Sequence, residues 1–392
     1  MAHNLIRFLG SHVGAALLLV ASCLPALSQS PFYTASATDI ANGAAGSLIH
    51  NSKEDVAALG ASKYLVLYRS TGLKGEPIAV SGMVFVPPGD MPEGGWPIVA
   101  WAHPTSGIVP KCAPSMAYFG NDQVQGLKEL IDLGYVVTAT DYPGLGTPGP
   151  HPYLIGESEG RAVLDSIRAA RELIGGKSPD ATLWGHSQGG QAALYAADLA
   201  PGYAPDITLL GVAAAAPATD LARLMKDDYA SSGGRNLLAM ALYSWNQLFD
   251  APIADVVDPA AMATVDGLAQ VCLESLLDMP ARMIDGNELM KGFLSVDDIT
   301  VISPYKELLA GNTIGTLPTH MPVMLVQGSA DTTVVPDVTA AYMSEICAAG
   351  SRVTMQILPG ASHYDAARQG YPDFIAWLTS LRDGKPVADN CP

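Results

Sequence analysis

The chain has 392 residues, of which 49% are hydrophobic and 15% charged, so it can bury a large core and is not an intrinsically disordered protein. Its 38 acidic and 21 basic residues give a formal net charge of −17 at pH 7. Such a surface repels phosphate backbones and anionic lipid headgroups, and we expect no nucleic acid among the partners of the protein.

The first 28 residues are predicted to be a signal peptide. Arg7 precedes the apolar run 13–20, and the small residues Ala26-Leu27-Ser28 suit a cleavage site. The run is too short to cross a bilayer comfortably, and no other stretch reaches about 20 apolar residues. We therefore expect a secreted or periplasmic protein without a stable membrane span. Because Val20-Ala21-Ser22-Cys23 also resembles a lipoprotein-processing site, a lipid anchor at Cys23 is the less favoured alternative.

Short runs rich in β-branched and aromatic residues stand between turn signals and predict β-strands. They cover residues 64–68, 78–86, 98–103, 135–141, 182–185, 209–215, 323–327 and 353–358. Apolar residues spaced three to four apart predict helices between them, at 121–133, 156–173, 189–199, 336–348 and 371–381. This alternation predicts an α/β fold, in which helices cover both faces of a mostly parallel sheet. A short turn with Gly and Pro between the first two strands predicts an antiparallel start.

The alternation of strand and helix stops between about residues 219 and 319. This stretch is rich in Leu, Met and Ala and has helical periodicity without a convincing strand. We predict that 219–319 is a helical cap or lid insertion, which divides the core into a first part at 29–218 and a second part at 320–392. Extra packing against the sheet is the alternative to a cap over a binding site.

Residues 182–193, Thr-Leu-Trp-Gly-His-Ser-Gln-Gly-Gly-Gln-Ala-Ala, place a serine between glycines where a predicted strand turns into a predicted helix. Gly185-His-Ser-Gln-Gly189 fits the pattern G-x-S-x-G in the context that this pattern requires. The serine of such a corner occupies a strained turn, and glycines at the flanking positions remove side chains that would collide. We therefore predict that Ser187 is a nucleophile at the carboxyl end of the sheet, and an ordinary glycine turn is the alternative.

A serine hydroxyl needs a base, and His363 is the best placed histidine. It follows the last predicted strand, at the same edge of the sheet as Ser187. The other histidines lie in the signal peptide, before the core, beside the serine, at the opposite sheet end, or before the serine in chain order. Asp331 follows the preceding strand and gives the chain order Ser, Asp, His that is expected after such a corner. Asp337 is better placed as a helix-dipole partner, and Asp365 is too near His363 in sequence to orient it.

An acyl-transfer site also needs hydrogen-bond donors for the oxyanion. The backbone N–H of Gln188 is the first donor because of its position after the serine. The second should come from the loop 101–107, Trp-Ala-His-Pro-Thr-Ser-Gly, which follows an earlier strand. Because Pro104 has no N–H, we predict Thr105 as the second donor. A simple turn at His103-Pro104 is the alternative.

Cleavage after Ser28 would leave four cysteines, Cys112, Cys272, Cys347 and Cys391. An even number in an exported chain predicts two disulfides, for which three connectivities exist. Four buried free thiols are the alternative.

Three segments together resemble the secretory lipases of the Candida lipase A type, and their bacterial relatives most closely. These are Gly185-His-Ser-Gln-Gly-Gly190, Asp141-Tyr-Pro-Gly-Leu-Gly-Thr147 and Cys112-Ala-Pro-Ser115. The resemblance runs from about residue 35 to the end and includes the insertion. It implies an α/β-hydrolase fold with a helical lid, and the hydrolysis of carboxylic esters, including acylglycerols.

The resemblance also assigns roles to individual residues. It implies that Ser187 is the nucleophile, Asp331 the acid and His363 the base. It further implies the disulfides Cys112–Cys272 and Cys347–Cys391. Where this chain has His103-Pro104-Thr105, the second oxyanion donor is not fixed by the resemblance.

We therefore predict a serine carboxylic-ester hydrolase, a triacylglycerol lipase or carboxylesterase that works through an acyl-enzyme. The apolar insertion favours acylglycerols or other hydrophobic esters, met in some cases at a lipid–water interface. No cofactor is expected, and the sequence has neither H-E-x-x-H nor clustered Cys and His at metal-binding spacing. A serine peptidase or amidase of the same fold is one alternative, and a catalytically inactive lipid-binding protein is another.

Overall fold

The computed structural model describes residues 30–392 except 57, 119, 177, 179, 274 and 276, so the predicted signal peptide 1–28 and Cys23 lie outside the described residues. Strands of the described part join into one nine-stranded sheet. They are β1 (Leu48–Val56), β2 (Ala61–Thr71), β3 (Pro77–Val86), β4 (Ile98–Ala102), β5 (Val136–Thr140), β6 (Asp180–His186), β7 (Thr208–Ala215), β8 (Val323–Gly328) and β9 (Val353–Leu358). Their order across the sheet is β1-β2-β3-β5-β4-β6-β7-β8-β9.

The sheet is antiparallel at its start and parallel from β5 onwards. Strands β1, β2, β3 and β5 pair antiparallel, and β5, β4, β6, β7, β8 and β9 pair parallel. In β4, β5 and β8 every residue is buried, as expected where helices cover both faces. The predicted α/β fold with an antiparallel start is confirmed. The edge strand β1 was not predicted, because its sequence Leu-Ile-His-Asn-Ser-Lys-Glu-Asp-Val is largely polar and does not alternate.

Helices lie on both faces of the sheet and in the segment between β7 and β8. They are α1 (Ala37–Ala41), α2 (Leu127–Asp132), α3 (Gly156–Leu173), α4 (Gln188–Tyr203), α5 (Leu221–Asp227), α6 (Ser232–Phe249), α7 (Met262–Ala269), α8 (Met279–Leu289), α9 (Tyr305–Gly311), α10 (Pro336–Ala348) and α11 (His363–Arg382). Side chains of β4 and β6 alternate between two apolar clusters. Trp101 and Trp184 join α2 and α11 on one face, and Ala100 and Leu183 join α3 and α4 on the other.

Three predicted helices have different bounds in the structure. Helix α4 covers Gln188–Tyr203 instead of residues 189–199. Helix α11 begins at His363 instead of residue 371, because Ser362 and Asp365 form a capping box that starts the helix at the end of the β9 loop. The predicted helix 121–133 is a 3₁₀ turn, Gly120–Gln123, followed by α2. Gly126 separates the two with φ at 81°, a left-handed conformation that an α-helix cannot contain. Helices α3 and α10 match their predicted bounds.

The segment between β7 and β8 contributes to the core rather than standing apart from it. It holds α5 to α9, and its buried residues Leu238 and Leu268 belong to the same apolar cluster as Trp101. Among its described residues the only β contact is the bridge between Val257 and Leu294. The division into a core at 29–218 and 320–392 and a cap at 219–319 stays a prediction.

Two disulfides join distant parts of the chain. Cys112–Cys272 connects the loop after β4 to the segment between β7 and β8, and Cys347–Cys391 connects the end of α10 to the C-terminal residues. This is the pairing that the resemblance implied. Among residues 30–392, apart from the six gaps, we find no helix with the length and apolar character that crossing a bilayer requires.

Candidate active site

Ser187 stands at the sharp corner between β6 and α4. Its φ of 57° and ψ of −119° are unusual for a residue with a side chain, and the surrounding contacts hold it there. A Cβ at position 185 would collide with the carbonyl oxygen of Gly189, and one at 189 with the carbonyl oxygen of Ala102. Glycine at positions 185 and 189 therefore lets the backbone segments of this corner approach each other closely, as the sequence predicts. The Ser187 N–H donates to the Ala215 carbonyl at 2.9 Å, which ties the corner to β7.

Three side chains far apart in sequence meet at this corner. Ser187 Oγ lies 2.8 Å from His363 Nε2, and His363 Nδ1 lies 2.8 Å from Asp331 Oδ2. Since the carboxylate can only accept, Nδ1–H donates to Asp331 and Nε2 is free to accept the serine proton. The structure thus brings together the three residues predicted as nucleophile, base and acid, in a geometry suited to activating an alcohol.

The Asp331 carboxylate is buried and fixed by donors on both oxygens. Oδ1 accepts the backbone N–H groups of Thr333 and Val334, each at 2.9 Å. Oδ2 accepts Gln327 Nε2 at 3.2 Å in addition to His363. These bonds orient the carboxylate toward the imidazole.

Two further residues hold the triad in place, and the sequence argument missed both. His186 Nε2 donates to the His363 carbonyl at 2.9 Å, and burial, followed by the nearby His363, lowers the pKa of His186 to about 3, so this ring is neutral. Gln327 is itself held by Thr339 Oγ1, which donates to its Oε1 at 2.6 Å. The only sequence signal for His186 and Gln327 is their position at the ends of β6 and β8.

The two rejected acids lie outside the triad. Asp337 is in the first turn of α10 with its side chain 88% exposed, near Arg223. Asp365 belongs to the capping box of α11, where its Oδ2 accepts the Ser362 backbone N–H at 3.3 Å, and it pairs with Arg368. Neither carboxylate has a hydrogen bond to the His363 ring.

The two residues predicted as oxyanion donors line the same cavity as Ser187. Gln188 is the first residue of α4, where backbone N–H groups have no partner within the helix. Thr105 is buried in the loop after β4 and lines the same cavity as Ser187, and its hydroxyl shares a 3.0 Å hydrogen bond with Tyr153. The role of Gln188 and Thr105 as donors stays a prediction.

A buried polar cluster surrounds the Gln188 side chain, and sequence reasoning missed it. Gln188 Nε2 donates to Glu159 Oε1 at 2.7 Å and to His151 Nε2 at 3.0 Å. Glu159 Oε1 also accepts the Leu154 N–H at 3.0 Å. Burial raises the pKa of Glu159 to about 8 and lowers that of His151 to about 3, so both groups are largely neutral near pH 7. A set of neutral, buried groups thus fixes the residue that follows the nucleophile.

A small cavity opens beside Ser187. Its walls are mostly apolar and include Leu221, Leu224 and Met225 of α5 with Leu237 of α6. The segment between β7 and β8 therefore shapes the space next to the nucleophile. Within the described residues, no group of three or more His, Cys, Asp or Glu side chains is placed to hold a metal ion.

Known proteins resemble this chain over most of its length. A family model described as secretory lipase matches residues 122–390. The chain is 26% identical to a probable inactive lipase of Mycobacterium tuberculosis, over 83% of this chain and 74% of that protein. It is also 26% identical to Lipase A of Arthroderma benhamiae, over 84% of this chain and 73% of that protein.

The fold has close structural counterparts. The crystal structure of Candida antarctica lipase A in its closed state superposes with a TM-score of 0.75 at 22% identity, over 92% of this chain and 87% of that chain. At that identity the likeness establishes the fold alone, which is that of the α/β-hydrolases.

Proposed function

The chain belongs to the secretory lipase family, and from this premise we propose that it is a secreted serine hydrolase of carboxylic esters. The observation that carries the proposal is the pair of 2.8 Å contacts that join Ser187 to His363 and His363 to Asp331. Ser187 is partly exposed and lines a mostly apolar cavity, which we propose as the binding site of the ester.

The proposed reaction has two steps. Ser187 Oγ attacks the ester carbonyl while His363 Nε2 takes its proton, and Asp331 holds the imidazole and stabilises its charged form. The backbone N–H groups of Gln188 and Thr105 are the proposed donors to the oxyanion. The alcohol then leaves with the proton from His363. A water molecule, deprotonated by the same imidazole, releases the acid and restores the serine.

The cavity and its surroundings favour hydrophobic esters. Its apolar wall would accept an alkyl or acyl chain, and we propose that the segment 219–319 acts as the lid over it. Apolar side chains of this segment also lie on the outer surface, where Leu277 is 92%, Met283 61% and Ile284 62% exposed. Such a surface suits contact with aggregated lipid, so acylglycerols are among the proposed substrates.

The proposal places the protein outside the reducing cytoplasm. The four cysteines that follow the predicted signal peptide form two disulfides, and disulfides persist in oxidising compartments. The residue pattern of 1–28 adds the predicted signal peptide, with the lipid anchor at Cys23 as the less favoured alternative.

An inactive protein and a peptidase are the rival functions. One relative is named a probable inactive lipase, but in the present chain the residues proposed as nucleophile, base and acid are joined by hydrogen bonds. Amide hydrolysis uses the same three groups, so the peptidase alternative is separated by substrate. Parallel assays of p-nitrophenyl esters and peptide anilides should show turnover of the esters only.

The nucleophile is tested by Ser187→Ala with Ser344→Ala as the matched control. Ser344 is exposed on α10 and lies outside the cavity. We expect Ser187→Ala to keep its fold and to lose up to about 10⁶-fold in kcat on p-nitrophenyl octanoate, whereas Ser344→Ala keeps full activity. Ester hydrolysis at the unmodified rate by Ser187→Ala would overturn the proposal.

A further inference from the structure

A carboxyl group lines the apolar cavity beside Ser187. Asp228 lies in the 3₁₀ turn Asp228–Ala230 that joins α5 to α6, is 8% exposed, and lines the same cavity as Ser187. Its Oδ1 has no hydrogen-bond partner among the described residues. A buried acceptor without a hydrogen bond lowers the stability of the folded protein. Such groups are uncommon in native proteins and often have a functional role.

The carboxyl group is not needed to build the turn. The Asp228 backbone carbonyl accepts the N–H and the hydroxyl of Ser231, at 2.9 and 3.1 Å. Ser231 is also the residue that caps α6, because its Oγ accepts the Gly234 N–H at 2.9 Å. Ser231 and the backbone therefore make the hydrogen bonds that form this turn, and the Asp228 carboxyl group takes no part in them.

The position of Asp228 is nevertheless tightly defined. A Cβ at position 234 would collide with the Asp228 carbonyl oxygen and Cβ, so the absence of a side chain at Gly234 lets α6 pack directly against the turn. The carboxyl group consequently stays at the cavity wall beside Leu224 and Met225 instead of relaxing into solvent.

Because the cavity wall is mostly apolar, the Asp228 carboxyl group can distinguish between substrates by the hydrogen-bond donors they carry. A purely alkyl ester would cover the carboxyl with carbon and leave its oxygens without donors. A hydroxyl group at the matching position would supply the missing donor, and a site built to bond a hydroxyl discriminates against the analogue that lacks it. Both ionisation states of a carboxyl group keep an oxygen that can accept.

We propose that Asp228 is a specificity-determining residue that selects esters carrying a hydroxyl group on an otherwise apolar acyl or alcohol portion. The proposal rests on the proposed ester hydrolysis and names the substrate class for that site. Burial, with smaller contributions from Asp331 and Asp227, raises the pKa of Asp228 to about 7, consistent with a carboxyl group that no cation stabilises.

The test uses two matched substrate series. One contains p-nitrophenyl octanoate and its monohydroxylated forms at carbons 3, 6, 7 and 8, and the other contains octyl acetate and the corresponding hydroxyoctyl acetates. For each ester, kcat/KM is measured with the wild-type protein and with Asp228→Leu, Asp228→Ala and Asp228→Asn. Asp227→Leu is the matched control, since Asp227 is the neighbouring acid, pairs with Arg223 and is absent from the cavity wall.

We expect the wild-type protein to prefer at least one hydroxylated ester over its alkyl parent by about tenfold or more. Asp228→Leu and Asp228→Ala should abolish this preference, with a higher rate on the alkyl parent and a lower rate on the hydroxylated ester. Asp228→Asn should keep most of it, because the amide oxygen still accepts, and Asp227→Leu should keep all of it.

Two results would overturn the proposal. One is a wild-type protein that shows no preference at any position in either series. The other is a preference that survives in whichever of Asp228→Leu and Asp228→Ala is folded. Hydrolysis of neither series by the wild-type protein would instead remove the proposed function itself, so the two failures are distinguishable.

Discussion

Replacing Glu159 by glutamine should make the protein more stable at neutral pH and leave its stability near pH 4.5 almost unchanged. Glu159 is fully buried behind the nucleophile corner, where its Oε1 accepts from Leu154 and Gln188. Burial raises the pKa of its carboxyl to about 8, from an ordinary value of 4.5. The folded protein therefore holds this proton more tightly than the unfolded chain does.

The sign and size of the effect follow from proton linkage. Below pH 4.5 both states are protonated and the contribution of Glu159 to stability is fully present. As pH rises toward 8, the unfolded chain loses the proton first, and stability falls by about 1.4 kcal/mol per pH unit. At pH 7.5 the accumulated loss is on the order of 4 kcal/mol. Glutamine keeps the acceptor oxygen for both donors but does not titrate, so the variant should not show this loss.

Urea unfolding of both proteins at half-unit steps from pH 4.5 to 8 measures the difference. Glu157→Gln is the matched control, since Glu157 lies two residues away on α3, is half exposed, and pairs with Arg161. The control should run parallel to the wild-type protein. Parallel curves for Glu159→Gln and the wild-type protein would refute the reasoning, because they would mean that Glu159 does not change its proton affinity on folding.

Three further changes test the surroundings of the nucleophile. Gly189→Ala should destabilise the fold by about 1–3 kcal/mol and lower kcat, because the new Cβ meets the Ala102 carbonyl, and unchanged thermal unfolding and kcat would contradict this. Gln327→Leu should lower kcat on p-nitrophenyl octanoate about tenfold with little change in KM, because Asp331 loses a donor, whereas an effect on KM alone would show a different role. Replacing Cys112 and Cys272 together by serine should lower the free energy of unfolding by about 2–4 kcal/mol in urea titrations, and an unchanged midpoint and slope would contradict a stabilising role for this disulfide.

Local patterns were sufficient to predict the fold and to nominate the triad. Apolar runs in β4 and β8 indicate strands buried on both faces, and chain order then places Ser187, Asp331 and His363 after three strands of one parallel sheet. The carboxyl ends of parallel strands meet at one edge, so the three side chains could be expected to lie close together before any distance was known.

What the sequence did not reveal depends on contacts between distant segments. The cluster of Glu159, His151 and Gln188 joins two helices and a loop, and no spacing rule connects these three residues. The start of α11 was missed because it depends on a capping box, in which Ser362 and Asp365 begin the helix at His363. Asp228 looked like one more acid in an acidic chain, and only its burial beside Ser187 distinguishes it.

The most direct test of the account is the covalent trapping of the nucleophile. The protein is incubated with diethyl p-nitrophenyl phosphate, and the adduct is located by intact mass and peptide mapping in the wild-type protein and in His363→Ala. We predict one diethylphosphoryl group on Ser187 in the wild-type protein, and far slower labelling of the variant, since its serine lacks a base. An adduct on another residue, or equally fast labelling of both proteins, would contradict the central claim that His363 and Asp331 make Ser187 reactive.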